Sequence, residues 1–190
     1  MAVNGDCTAL LVIDAQKAVG NSAESKEVLS RIDTLIEEYR ANGSLVVFIR
    51  YTPPALNGFI PPAINDFGMH HALLRPKAGE FVINKLSKSA FGKTQLDAVL
   101  RRRSIKELTV CGFYTDICVY DTVRDGAKAS YEMNVVSDCC AGGTKMQHKR
   151  AIESLKNHEG VKVLELKDIV RDSAGHALKY PDGAMEVRTC

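Results

Sequence analysis

Six short apolar runs, each closed by a turn or polar residue, recur along the chain with helical segments between them. The runs cover residues 8–13, 44–49, 80–84, 108–112, 132–136 and 161–164. They are too short for helices, and several are apolar almost without a break, which marks strands buried on both faces of a parallel sheet. The segment 22–42 places Val28, Ile32, Leu35, Ile36 and Tyr39 on one helical face, with Gly43 as a stop just beyond. A second helix is predicted from about residue 93 to 103 around Leu96, Val99 and Leu100. A third begins near Cys118, with Val119, Thr122, Val123, Gly126, Ala127 and Ala129 as packing positions, and a fourth spans 146–157. Such alternation predicts an α/β fold, a three-layer α/β/α arrangement with a six-stranded parallel sheet joined by right-handed crossovers. A chain of 190 residues is long enough for one well-buried core and short for two. We therefore expect a single domain over 1–190, with its core at about 8–166 and a weakly patterned extension at 168–190. The segment 50–79, rich in Pro and Gly, lacks a clean period and is expected to cover a pocket or contact another subunit.

Composition narrows the function by exclusion. A net charge of +2 gives no electrostatic reason for a nucleic-acid or membrane partner, and the run Arg101, Arg102, Arg103 falls where cations complement a helix C-terminus. No apolar stretch reaches membrane-span length and the first residues lack a signal-peptide pattern, so a cytoplasmic protein is expected. The six cysteines are then expected to be free thiols. They form no C-x-x-C, and His70 and His71 with distant cysteines do not make a zinc site, so no metal is expected. Asp14-Ala15-Gln16-Lys17-Ala18-Val19-Gly20 stands where a G-x-G-x-x-G would follow the first strand, and no Walker loop occurs. A dinucleotide or nucleoside triphosphate site of the usual kind is disfavoured, and no cofactor is expected.

In doubly wound sheets, ligands bind outside the carboxyl ends of the strands near the switch in strand order. Three reactive side chains fall just past three strand ends: Asp14, Lys85 and Cys118. A carboxylate, an ammonium and a thiol sharing one crevice would perturb each other's proton affinities. Cys118 follows the turn after the fourth strand and opens a helix. The dipole there predicts a thiol that ionises below the ordinary value of about 8.5.

Leu11-Val12-Ile13-Asp14-Ala15-Gln16, then Lys85 with Ser89-Ala90-Phe91, then Gly112-Phe113-Tyr114-Thr115-Asp116-Ile117-Cys118-Val119 with Thr122 and Asp125-Gly126-Ala127 resemble the motifs of the isochorismatase-like cysteine hydrolases. The resemblance runs from about Thr8 to Leu166. It implies a six-stranded parallel sheet flanked by helices and a metal-independent cysteine hydrolase of a small amide or ureido substrate. Cys118 would be the nucleophile, Asp14 the proton acceptor and Lys85 the charge balance. A cis peptide between Phe113 and Tyr114 would aim the Tyr114 and Cys118 N–H groups as an oxyanion hole, with Gln16, Phe91 and Tyr114 binding substrate. Homo-oligomers are common in the family, so the partners expected are a small-molecule substrate and further copies of the chain. Cys118 separates the chain from true isochorismatases, which lack it. Nicotinamidases carry an Asp-x-His for a metal after the second strand where this chain reads Arg50-Tyr51-Thr52-Pro53-Pro54, so nicotinamidase is the alternative. A non-catalytic member serving as a binding or assembly module is the other, and the three reactive residues argue against it.

Overall fold

The computed structural model describes residues 7–19, 22–52 and 74–170. Most of the segment expected to cover a pocket, both adjacent histidines, and residues 171–190 of the extension lie outside the described residues. Within them the strands are β1 (Thr8–Ile13), β2 (Leu45–Tyr51), β3 (Phe81–Lys85), β4 (Glu107–Phe113), β5 (Glu132–Ala141) and β6 (Val161–Leu164). The α-helices are α1 (Ala23–Ala41), α2 (Leu96–Arg102), α3 (Tyr120–Lys128) and α4 (Lys145–Lys156). The strands pair in parallel throughout, in the order β3-β2-β1-β4-β5-β6. No helix among the described residues is long and apolar enough to cross a membrane.

Burial follows from strand position. Every residue of β1, at the centre, is buried, whereas the edge strands β3 and β6 each expose residues along their length. Continuous apolar runs belong where helices cover both faces, and partly polar ones where the sheet ends. Successive side chains on a strand point to opposite faces, and the helices use this. The Tyr39 hydroxyl of α1 donates to Thr109 Oγ1 at 2.6 Å on one face. Gly126 of α3 lies against Met133, the register partner of Leu108, on the other. A Cβ on Gly126 would stand 2.6 Å from the Met133 sulfur, so the helix approaches the sheet as closely as it does because that position is glycine.

Two boundaries differ from the sequence reading. Helix α2 starts at Leu96 because the Thr94 hydroxyl accepts the Leu96 N–H, 3.1 Å away, ending the turns that precede it. The polar pair Ser137-Asp138 does not end β5. The strand runs on through a shift in register, with Val110 paired to Val135 but Gly112 to Cys140. Both polar side chains find partners there: Ser137 Oγ donates to the Leu164 carbonyl at 3.0 Å, and Asp138 Oδ1 accepts the Leu166 N–H at 2.8 Å. A bulge of this kind keeps a strand going while turning side chains outward.

From β1 the sheet grows outward through β2 to β3, and from β4 in the opposite direction to β6. The change of direction lies between β1 and β4, which opens a crevice beyond their carboxyl ends. At that crevice Gly112 pairs with Ile13 at a φ of 122°, and a Cβ there would sit 2.0 Å from the Ile13 carbonyl oxygen.

Candidate active site

The carboxyl ends of β1 and β3 and the segment after β4 bring three side chains together. Asp14 leaves β1 with a φ of 48°, its N–H donating to the Ile49 carbonyl at 3.0 Å. Aspartate is among the few residues that tolerate this left-handed conformation, which turns the carboxylate out of the sheet and over its end. Lys85 is the last residue of β3, and β2 lies between it and β1. Its long side chain passes the Tyr51 ring, with Nζ 5.2 Å from the ring centroid, and is almost wholly buried. Nζ then meets three groups: Asp14 Oδ2 at 2.7 Å, Cys118 Sγ at 3.3 Å and the Ser87 carbonyl at 3.1 Å. An ammonium has three protons to donate and here has three acceptors. The other Asp14 oxygen, Oδ1, is buried without a hydrogen-bond partner among the described residues.

Cys118 does not sit in the first turn of an ordinary α-helix. Thr115–Val119 forms a π-helical turn ahead of α3, in which the Val119 N–H reaches back to the Tyr114 carbonyl at 3.1 Å. Such wide turns recur at functional sites. The Phe113–Tyr114 peptide bond just before it is cis. Two contacts fix the turn from outside. The buried Thr115 hydroxyl hydrogen-bonds His148 Nδ1 at 2.8 Å, and Asp116 Oδ1 accepts the Gly143 N–H at 3.1 Å. The buried Thr122 hydroxyl of α3 accepts the Ala90 N–H at 3.0 Å and ties the loop after Lys85 to the helix that follows the cysteine's turn.

The expectation of an acidified thiol is overturned. Burial, followed by the Asp14 charge, pushes the Cys118 thiol up to about 11, and Lys85 offsets this only in part. Desolvation and a neighbouring carboxylate outweigh what a helix terminus offers, so the resting group is S–H. Burial also raises the Asp14 carboxyl above its ordinary value of 3.8, against the opposing pull of Lys85. Cys111, Cys139 and Cys140 are buried, and desolvation raises their thiols as well, while Cys7 is exposed.

These groups open onto a cavity of about 500 Å3 lined by Asp14, Gln16, Tyr51, Phe113, Tyr114 and Cys118, with Val19, Leu86, Ser87, Lys88 and Ile117 completing the wall. Of the residues expected to bind substrate, Tyr114 and Gln16 line it and Phe91 does not. The Phe91 ring packs on Tyr131 with centroids 5.8 Å apart and against Gly126, in the layer between α3 and the sheet. Gln16 is in the wall, but its amide is engaged by the β2 backbone: Oε1 accepts the Tyr51 N–H at 2.9 Å and Nε2 donates to the Tyr51 carbonyl at 3.1 Å. It fixes the carboxyl end of β2 relative to β1. Tyr51, Val19, Leu86, Ser87 and Ile117 are lining residues the sequence reading missed. Tyr51 was open to discovery by the same strand-end argument, since it closes β2 between the strands of Asp14 and Lys85. Among the described residues no three His, Cys, Asp or Glu side chains gather to hold a metal ion.

Residues 8–168 match the isochorismatase domain family. The chain belongs to the isochorismatase family. Among isochorismatase-family proteins it is 27% identical over 173 residues to the uncharacterized isochorismatase family protein YecD of Escherichia coli O157:H7, covering 82% of this chain and 90% of that one. Over 89 residues it is 37% identical to the ureidoacrylate amidohydrolase RutB of Acinetobacter baylyi, an overlap of 46% of this chain and 36% of that protein. The crystal structure of N-carbamoylsarcosine amidase from Thermoplasma acidophilum superposes with a TM-score of 0.75 at 25% identity, covering 86% of this chain and 98% of the other. The isochorismatase-family fold with amidohydrolase relatives thus agrees with the parallel sheet and strand order described above.

Proposed function

We propose that this protein hydrolyses a small amide or ureido substrate through a thioester on Cys118, without a metal. The observation that carries the reading is the position of Lys85 Nζ, within contact distance of both Asp14 Oδ2 and Cys118 Sγ, two residues that line a cavity of about 500 Å3. The fold relationship to N-carbamoylsarcosine amidase and the sequence relationship to ureidoacrylate amidohydrolase support the bond type.

The chemistry follows from the charges. The starting site holds a carboxylate, an ammonium and a neutral thiol. As Sγ bonds to the substrate carbonyl carbon, the thiol proton passes to Asp14, whose Oδ1 has no competing partner among the described residues. The carbonyl oxygen takes up the negative charge facing the Tyr114 and Cys118 N–H groups. The C–N bond then breaks, the nitrogen leaves with the proton held by Asp14, and a thioester remains on Cys118. Asp14 next takes a proton from water as the water oxygen attacks the thioester. The acid is released and the thiol restored. Lys85 stays charged throughout, favouring the carboxylate of Asp14 and the developing thiolate by turns.

The test is ammonia release from a panel of primary amides and ureides, with wild type and Cys118→Ala compared at equal folded concentration. Turnover that falls about 10⁴-fold or more in the variant is expected. Turnover that survives the substitution would remove the cysteine from the reaction.

A further inference from the structure

The cavity wall above the three reactive groups gathers most of the exposed large hydrophobic side chains among the described residues. Among the described residues five large hydrophobic side chains are exposed, and Leu86 at 67%, Tyr114 at 38% and Ile117 at 37% all stand at this cavity. Contiguous exposed apolar surface is costly to keep in water unless something covers it. Val19, Tyr51 and Phe113 carry the same character inward, toward Cys118. Among the described residues the charged side chains in the wall are Asp14 and the exposed Lys88, and the Lys85 ammonium beneath is already 2.7 Å from Asp14. A substrate carboxylate laid on this wall would lose water against hydrocarbon and stand close to the Asp14 charge.

We infer that the site selects an uncharged amide with an apolar acyl group, which Leu86, Ile117 and the Tyr114 ring cover while the carbonyl meets Cys118. This rests on the hydrolase reading above and adds to it the class of substrate. The wall is built from four separate stretches: the turn after β1, the carboxyl end of β2, the loop after β3, and the end of β4 with the π-helical turn. A tail lying across them buries area in proportion to its length. The volume of about 500 Å3 falls in the range of small-ligand pockets.

The experiment compares acetamide, propionamide, butyramide and hexanamide with the anionic amide succinamate, using the full chain. Turnover is measured with wild type and binding with Cys118→Ala by calorimetry, so that the preference of the wall is read independently of chemistry. Affinity and kcat/KM rising by about 4-fold per methylene up to butyramide are expected, with succinamate at least about 10-fold weaker than butyramide. Leu86→Ser and Ile117→Ser, on different stretches, should each flatten the rise across the series. A flat series in both measurements overturns the inference. So does tighter binding of succinamate that is lost in Lys88→Gln, which would assign the site to a carboxylate-bearing substrate. A rising affinity series in Cys118→Ala with no turnover by wild type upholds the apolar preference and removes the hydrolase reading instead.

Discussion

Cys118 holds its proton more tightly than its sequence position alone suggests, and the Asp14 carboxyl is also raised by burial, and together these set the pH behaviour. Because the thiol is pushed up to about 11, alkylation of Cys118 by a small reagent should accelerate as pH rises toward that value, followed by peptide mass analysis. The proposed catalysis has the reverse limit. In it Asp14 must be ionised to take the thiol proton, and its pKa is raised, so kcat/KM is expected to fall on the acid side through a pH above 3.8 as Asp14 takes up a proton. Asp14→Asn should remove that limb and lower kcat/KM by about 10²- to 10⁴-fold. The identities of these residues were legible in the sequence because each lies at a strand end. Their proton affinities were not, since they depend on how deeply each group is buried and on which atoms face one another. Phe91 shows the same limit: its place in a motif said nothing about which side of α3 its ring would take.

Elements matter here through how closely they approach. Gly112 has both a φ of 122° and an Ile13 carbonyl oxygen where its Cβ would be, so the meeting of β1 with β4 depends on a missing side chain. Gly112→Ala should destabilise the fold by about 3 kcal/mol or more, read by denaturant unfolding, whereas alanine at exposed Gly43, whose Cβ meets no atom within 4 Å, should cost only the backbone strain of its left-handed φ of 68°, about 1–2 kcal/mol. Thr115 and His148 make a second test. Removing the imidazole by His148→Ala leaves the buried Thr115 hydroxyl unpaired, at a cost of about 1–3 kcal/mol, and Thr115→Val in the same background should recover part of it. Strand and helix identities could be read from periodicity because burial on one or two faces imposes it. The register shift in β5 and the π-helical turn before α3 could not, because both depend on partners distant in sequence: Leu164 and Leu166 for one, His148 and Gly143 for the other.

At the scale of the whole molecule, the strand order does the assembling. Asp14, Lys85 and Cys118 are far apart in the chain and meet because β1, β3 and β4 all end at one edge of a sheet whose direction of growth reverses between β1 and β4. The six-run pattern was enough to predict that edge, and the family motifs enough to say which residues would be found there. The proposed substrate wall was less legible, since Leu86 and Ile117 are ordinary hydrophobic residues until the fold exposes them. The most direct measurement is peptide mass analysis of the enzyme quenched in acid during turnover of an amide substrate. An acyl mass on the peptide containing Cys118, absent in Cys118→Ala and decaying at the rate of product formation, is predicted; full turnover with Cys118 never acylated would contradict the account.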